Sequence, residues 1–249
     1  MELHRDKKIL ITGGTRGIGL AVAEVLAREG ADVAVNFRSD TGQAERAVSE
    51  IEKTGRKAVP VQADISDPKE IKRMFREVRE KLGELDGFVS NAVSGVVGPA
   101  ERIGRFGWKK AMDTNARAFM LCAQQALKVF NPEGGSIVAV SSVGSIRVLP
   151  GYTAVGASKA ALEALVRYFG KELASRGINV NAVSGGPVQT RSLDYFPDKE
   201  KIISEWVDRT PAGRLGSPGD IAEVVSFLLS QKAGWIRGQT IIADGGMTL

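Results

Sequence analysis

The chain has 249 residues, 43% of them hydrophobic, enough to bury a sizeable core as one α/β domain. Its single cysteine, Cys122, and single histidine, His4, exclude an internal disulfide, a Cys- or His-ligated metal centre, and Ser-His-Asp or Cys-His catalysis. The net charge of +5 comes from Lys and Arg alternating with Asp and Glu along amphipathic stretches, which marks solvated faces rather than a nucleic-acid surface.

In chain order, the opening Met-Glu-Leu-His-Arg-Asp-Lys-Lys8 is too polar for a signal peptide and reads as a mobile tail. A strand at Lys8–Ile11 runs into Thr12-Gly-Gly-Thr-Arg-Gly-Ile-Gly19 and a helix at Ile18–Arg28. There follow a strand at Asp32–Phe37, a helix at Gln43–Lys53, a strand at Lys57–Gln62 and a helix at Pro68–Leu82. Next come a strand at Gly87–Ser90, one long helix at Trp108–Val129, a strand at Ser136–Val140 and a helix at Thr153–Ala174. A strand at Asn179–Val183, a helix at Pro218–Leu229 and a strand at Thr240–Ile242 close the series. This alternation predicts a Rossmann-like, doubly wound parallel sheet of about seven strands with helices on both faces.

The segment 187–214 interrupts the pattern with mixed aromatic and charged residues. It is expected to be an insertion within a single domain, 1–249, beyond the carboxyl end of a strand, where ligands bind in such sheets. No apolar run approaches the roughly 18 residues of a membrane span. A cytoplasmic protein without a membrane partner is the expectation.

Gly13, Gly17 and Gly19 have GxxxGxG spacing between the first strand and its helix, with Thr15, Arg16 and Ile18 between them. Small residues there let the backbone approach a pyrophosphate, and the helix N-terminus offers free N–H groups and the positive end of its dipole. A plain tight turn is the alternative. The second strand ends Val35-Asn36-Phe37-Arg38-Ser39, with no acid before Asp40. An NAD site usually has an acid there for the ribose hydroxyls. Arg16 and Arg38 instead suit a 2′-phosphate through forked, charge-assisted bonds, which predicts NADPH as cofactor. Two simply exposed guanidiniums are the plainer reading.

In these residues the chain resembles a short-chain dehydrogenase/reductase, and the resemblance covers essentially its whole length. The resemblance implies that Asp64, in Ala63-Asp64-Ile65, contacts adenine with Ile65 beside it. Ser90-Asn91-Ala92 is similar to the family turn after strand four, although Val93 replaces the usual Gly. Asn115 resembles the helix Asn that supports a proton-relay water, and Gly238–Gly246 resembles the last strand. Assembly as a homotetramer through long helices and the C-terminal strand is likewise implied.

Counting back from Lys159 separates two branches of that family. Ser142 stands where the common branch has its substrate-orienting Ser, but Val155 occupies the position of its Tyr. Tyr152, seven positions before Lys159, matches instead the Tyr-six-residues-Lys pattern of enoyl-acyl-carrier-protein reductases. Arg147-Val-Leu-Pro-Gly-Tyr152 and Ser184-Gly-Gly-Pro-Val-Gln-Thr190 resemble segments of the same branch, the latter placing Pro187 and Thr190 at the cofactor. Retention of Ser142 points to the NADPH-dependent FabL-type enoyl reductase III.

The chemistry gives a reason for the displacement. Hydride delivered to C3 of an enoyl thioester builds charge on the C1 oxygen, two carbons away, whereas a ketone is protonated beside the carbon reduced. Moving the acid three residues along a helix shifts it by about 4.5 Å while keeping it near the same face. Tyr152 is then expected to stabilise the enolate oxygen, and Lys159 to hold the nicotinamide ribose and favour the tyrosinate. The α-carbon proton comes through Tyr152 or from solvent. A packing tyrosine is the alternative for Tyr152, a turn-capping hydroxyl for Ser142.

The insertion offers Leu193, Tyr195, Phe196, Ile202, Ile203 and Trp206 for an amphipathic lid over an acyl chain. Arg191, Lys199 and Lys201 near its mouth suit an acidic acyl carrier protein, while Met112, Phe119 and Met120 read as core. The expected activity is NADPH-dependent reduction of enoyl thioesters on acyl carrier protein, or on coenzyme A in vitro, within fatty-acid elongation. The alternatives are a 3-oxoacyl-thioester or other carbonyl reductase, and a nucleotide-binding protein without catalysis.

Overall fold

The computed structural model describes residues 2–195 and 198–249, without the side chains of Ser192 and Tyr195. Among these residues the strands are β1 (Lys8–Ile11), β2 (Asp32–Phe37), β3 (Ala58–Gln62), β4 (Gly87–Ser90), β5 (Gly135–Ser142), β6 (Ile178–Gly185) and β7 (Thr240–Ala243). All pair in parallel, in the order β3-β2-β1-β4-β5-β6-β7. The order reverses direction between β1 and β4, and the carboxyl ends of these neighbours open the crevice in which the site lies.

The helices are α1 (Gly17–Arg28), α2 (Thr41–Glu52), α3 (Pro68–Leu82), α4 (Arg105–Ala111), α5 (Ala118–Ala126), α6 (Thr153–Glu172), α7 (Lys199–Arg209) and α8 (Pro218–Leu229). They cover both sheet faces, so the central strands carry almost unbroken apolar runs. Leu10 and Phe88 face α3, α5 and α6, packing with Phe75, Phe119, Leu162 and Val166. Ile9, Ile11 and Val138 face α1 and α8, packing with Leu26, Ile221 and Val225. Local chemistry sets several helix starts. Asp67 caps α3 by accepting the Lys69 N–H at 2.8 Å, and Ser217 and Asp220 form a reciprocal capping box on α8, each ahead of or around a first-turn proline.

Two expectations need correction. The helix expected at Trp108–Val129 is not continuous: a π-helical turn, Met112–Arg117, separates α4 from α5. His4 is not in a mobile tail but 2% exposed. Its ring nitrogen Nε2 lies 3.1 Å from the Ser226 carbonyl, 3.0 Å from the Ser226 hydroxyl and 3.6 Å from Glu29. Its backbone N–H also donates to the Glu29 carbonyl at 2.9 Å, which stitches the start of the chain across α1 and α8. Burial pushes the imidazole pKa down, opposed by the Glu29 charge. Of the remaining elements, β5 and β6 run longer than predicted and α2 starts earlier, because Asp40 caps it by accepting the Gln43 N–H at 2.9 Å. Among the described residues, no helix is long and apolar enough to cross a membrane.

Candidate active site

The loop from β1 into α1 is built so that its backbone stays exposed. Gly13 and Gly17 have φ of 62° and 53°, which favours glycine. A Cβ on Gly19 would lie 2.2 Å from the Gly13 carbonyl oxygen and 2.5 Å from Asn91 Nδ2, so no side chain fits there. Asn91, at the end of β4, donates from Nδ2 to the carbonyls of Thr12 at 2.9 Å and Gly13 at 3.0 Å. With those carbonyls tied down and no side chain capping the N-terminus of α1, the cradle fits an anion. Thr15 is buried beneath it, Ile18 is half-buried, and Gly17 lies in contact with Thr190, whose methyl would sit 3.6 Å from a Cβ there. Thr190 thereby closes over the loop. The strand-like bonds Gly216 N–H to the Pro187 carbonyl (2.9 Å) and Gln189 N–H to the Gly216 carbonyl (2.8 Å) hold that segment.

Arg16 and Arg38 are both exposed at the mouth of this cradle, and neither forms an ion pair within 4.0 Å among the described residues. The nearby acid, Asp40, is engaged as the cap of α2. Ile65 is buried beside Asp64, whose Oδ1 accepts from the Ser66 N–H at 2.8 Å and the Ser66 hydroxyl at 2.7 Å. Burial alone would raise the Asp64 pKa. The two Ser66 bonds, with the charges of Arg38 and Lys110, outweigh it and bring the pKa below its ordinary value. Two exposed guanidiniums with no ion pair among the described residues, a glycine-lined cradle and a helix N-terminus fit a dinucleotide bearing a 2′-phosphate.

The second half of the site joins β5, α6 and the π turn. Tyr152 stands at the N-cap of α6, and the Ser142 side chain acts on its hydroxyl while the Ser142 oxygen accepts the Gly144 N–H at 3.2 Å. Its ring lies against Gly144: a Cβ on that glycine would come within 2.6 and 2.7 Å of the ring carbons Cδ1 and Cε1. Burial pushes the Tyr152 phenol pKa up, opposed by the Ser142 bond, so the hydroxyl is held as a proton donor near neutral pH. Lys159, 4% exposed, donates to the Val140 carbonyl at 2.6 Å. Burial lowers its pKa to about 8, against the opposing influence of Glu163.

Val155 is turned inward at 5% exposure, and a Cβ on Gly95 would lie 2.2 Å from its Cγ2. Asn115, in the π turn, is 2% exposed and fully engaged. Its Oδ1 accepts the Ser94 N–H at 3.0 Å, while Nδ2 donates to the Ser94 carbonyl at 3.0 Å and to Ser158 Oγ at 2.8 Å. The residues read from the sequence thus fall into two neighbouring groups, one around the glycine loop and one around Tyr152.

A cavity of about 1000 Å³ opens beside the loop, lined by Gly17, Thr190, Leu193, Ile203, Val207 and Arg214 among others. It lies under α7 on the glycine-loop side and includes none of Ser142, Tyr152 and Lys159 in its lining. Of the residues expected to form a lid, Leu193 and Trp206 are buried and Ile203 faces this cavity. Phe196 and the side chain of Tyr195 lie outside the described residues. Arg191 and Lys201 are exposed, and Lys199 pairs with Asp194 at 2.5 Å.

Three residues that organise the site escape a reading of the sequence. Asn36, 2% exposed, accepts the Gly13 N–H at 3.3 Å and donates to the Val61 and Ala63 carbonyls at 3.2 and 3.0 Å, tying the loop to the ends of β2 and β3. Gly144 makes room for the Tyr152 ring. Glu163, buried one helical turn beyond Lys159, accepts two serine hydroxyls from the end of β5 and its turn. Only the i, i+4 spacing of Lys159 and Glu163 on a helix offers a signal in sequence.

This architecture and site define a class. A family profile described as Enoyl-(Acyl carrier protein) reductase matches residues 13–248. The chain belongs to the short-chain dehydrogenase/reductase family, and it is a reductase of that family. It is 41% identical over 247 residues to 1-cyclohexenylcarbonyl-CoA reductase of Streptomyces collinus, covering 98% of this chain and 88% of that one. It is 38% identical over 246 residues to a 3-oxoacyl-(acyl-carrier-protein) reductase FabG of Staphylococcus aureus, covering 98% and 99%. Among solved structures, a short chain dehydrogenase from Burkholderia cenocepacia J2315 in complex with NADP superposes with a TM-score of 0.92 at 33% identity, over 99% of each chain. A blue fluorescent protein from a metagenomic library, in complex with NADPH, also gives 0.92 at 33% identity, over the whole of each chain.

Proposed function

We propose that this protein reduces the trans-2 double bond of enoyl thioesters with NADPH, on acyl carrier protein in the cytoplasm and on coenzyme A esters in vitro, within fatty-acid elongation. The observation that carries the reading is the position of Tyr152, at the N-cap of α6 with its ring against Gly144, together with a Val155 that is buried against Gly95 where a carbonyl reductase would present its acid. The relative that acts on 1-cyclohexenylcarbonyl-CoA supports it, since that name describes a conjugated unsaturated thioester.

Gly13, Thr15, Gly17, Ile18, Gly19, Asn91, Pro187 and Thr190 would hold the pyrophosphate and nicotinamide half of NADPH, while Arg16, Arg38, Asp64 and Ile65 would hold the adenosine half with its 2′-phosphate. NADPH, when bound, supplies the hydride. Tyr152 donates its O–H to the C1 oxygen of the thioester as charge gathers there, and Ser142 fixes the direction of that hydroxyl. Lys159 would hold the ribose of the cofactor and, as an ammonium, favours negative charge developing on Tyr152. Asn115 fixes the Ser94 segment against α6, the floor of the site. The segment 187–214 closes over the acyl chain and excludes water, with Arg191 and Lys201 facing the carrier protein. The exposed Phe106 and Trp108 on α4, Ile242 in β7 and Trp235 just before it are the surfaces through which we propose the chain forms a homotetramer.

The second reading, reduction of 3-oxoacyl thioesters, is favoured by the FabG relatives at 38% identity. One assay separates the two: purified protein with NADPH or NADH, and with a crotonyl or an acetoacetyl thioester. Oxidation of NADPH with the crotonyl thioester is the expected result. Turnover of the acetoacetyl thioester alone would overturn the proposal in favour of the second reading.

A further inference from the structure

One buried acid in this region has no part in the chemistry above. Glu163 is 6% exposed and follows Lys159 by one turn on the same face of α6. Its Oε1 accepts from Ser141 Oγ at 2.5 Å and Ser145 Oγ at 2.6 Å. These serines bracket Ser142, and the short 3₁₀ turn that ends at the second of them, Val143–Ser145, carries the Gly144 that Tyr152 packs against. That turn is pressed on α6, where a Cβ on Gly156 would lie 2.6 Å from the Gly144 carbonyl oxygen.

Burying a carboxylate is costly, and a neutral amide oxygen would accept the same two hydroxyls, so hydrogen bonding alone does not call for a charge. Conversely, a charge placed only to balance Lys159 would not need anchors on both sides of Ser142. We infer that Glu163 is a positioning residue: its carboxylate clamps the Ser141–Ser145 turn to α6, setting Ser142 against Tyr152, and places a compensating negative charge beside Lys159. The inference rests on the roles proposed above for Tyr152, Ser142 and Lys159.

The titratable groups around Lys159 are few. Tyr152 caps its helix and Glu163 lies on it, while β5, β6 and the 3₁₀ turn carry no titratable side chain. From the π turn, Asp113 is taken by Lys109 and Arg117, and Cys122 of α5 lies within the core. Glu163 is the neighbour that favours the ammonium form of Lys159.

The test uses the full chain and reads two quantities: NADPH affinity by fluorescence titration across pH, and kcat and KM for a crotonyl thioester. Glu163→Gln keeps an acceptor for the serines and removes the charge, so the alkaline loss of NADPH affinity should begin about one pH unit lower than in the wild type. Ser145→Ala keeps the charge and removes one anchor, so kcat should fall roughly 5- to 10-fold with KM and the alkaline limb unmoved. An alkaline limb that coincides with the wild type in folded Glu163→Gln, or a wild-type kcat in Ser145→Ala, overturns the inference. Should Glu163→Gln not fold, Ser145→Ala decides alone. Lys159→Ala is run alongside. Lost NADPH affinity there leaves the functional reading standing whatever Glu163 does, whereas unchanged affinity and turnover would overturn that reading and this inference with it.

Discussion

Gly144→Ala is the most direct test of whether the position of the Tyr152 ring matters. Gly144 has no left-handed backbone to strain, so the added methyl acts through space alone. That methyl would sit 2.6 Å from Cδ1 and 2.7 Å from Cε1 of Tyr152, where ordinary contact begins at 3.4 Å. Relief requires the ring to move by about 0.8 Å, the difference between 3.4 and 2.6 Å. The new methyl would also lie 3.3 Å from Leu149 Cδ1, which leaves little room behind it. A displacement near 1 Å in a reacting group costs on the order of 100-fold in rate, so turnover of a crotonyl thioester should fall about 30- to 100-fold. Overpacking should lower stability by about 1–3 kcal/mol. NADPH affinity should stay within about twofold, because neither the glycine loop nor Arg38 touches the substituted residue. The assay is steady-state NADPH oxidation, paired with a fluorescence titration and urea unfolding. A folded variant with wild-type turnover would refute the placement of the donor.

Tyr152→Phe removes the hydroxyl but keeps the ring, so turnover should fall about 100- to 1000-fold while NADPH still binds, as single-turnover kinetics and a binding titration would read. Unchanged turnover would mean that another group stabilises the enolate. Arg38→Ala should weaken NADPH about tenfold or more and NADH little, and equal losses in calorimetric titrations would defeat the 2′-phosphate assignment. Lys159 makes a prediction about the unliganded chain. Burial holds its folded pKa at about 8, below the ordinary 10.5, so the ammonium is penalised in the folded state. The penalty is full below pH 8 and is relieved between 8 and 10.5, where the unfolded chain binds more protons. At about 1.4 kcal/mol per pH unit, the stability of the wild type relative to Lys159→Met should rise by about 3 kcal/mol from pH 7 to pH 10.5. A difference that stays flat in urea unfolding would refute it.

The parts of this molecule governed by short-range chemistry are legible in the sequence. β1, β2 and β4 have the predicted limits because each apolar run is bounded by Gly, Asp or Lys, and α3 and α8 begin at prolines that follow capping residues. The glycine loop is legible for the same reason, since its spacing between strand and helix admits few conformations. What was hidden depends on partners far away along the chain. His4 looked like part of a polar tail because its bonding partner, Ser226, is 222 residues distant. Asn36 reads as an interior strand residue until β3 and the loop surround its amide. The π turn left no breaker in the sequence: Met112–Arg117 contains neither Gly nor Pro, and the apolar spacing runs through it. The approach of Ser142 to Tyr152 depends on how β5 packs against α6, which spacing alone does not give.

That π turn also has a consequence for how the helix could change. A π segment is an α-helix carrying an additional residue, so the excess is absorbed as a local widening while the flanking turns keep their own register. Removing one residue from Met112–Arg117 would let α4 and α5 fuse into an uninterrupted α-helix. Since each residue advances an α-helix by about 100°, one flank would rotate by that angle relative to the other. With α5 fixed in the core by Phe119 and Cys122, the rotation would fall on α4 and redirect its exposed Phe106 and Trp108. Asn115 would lose its alignment with Ser94 and Ser158 in the same event. A one-residue deletion would therefore rewrite both the molecule's outer face and the floor of its site.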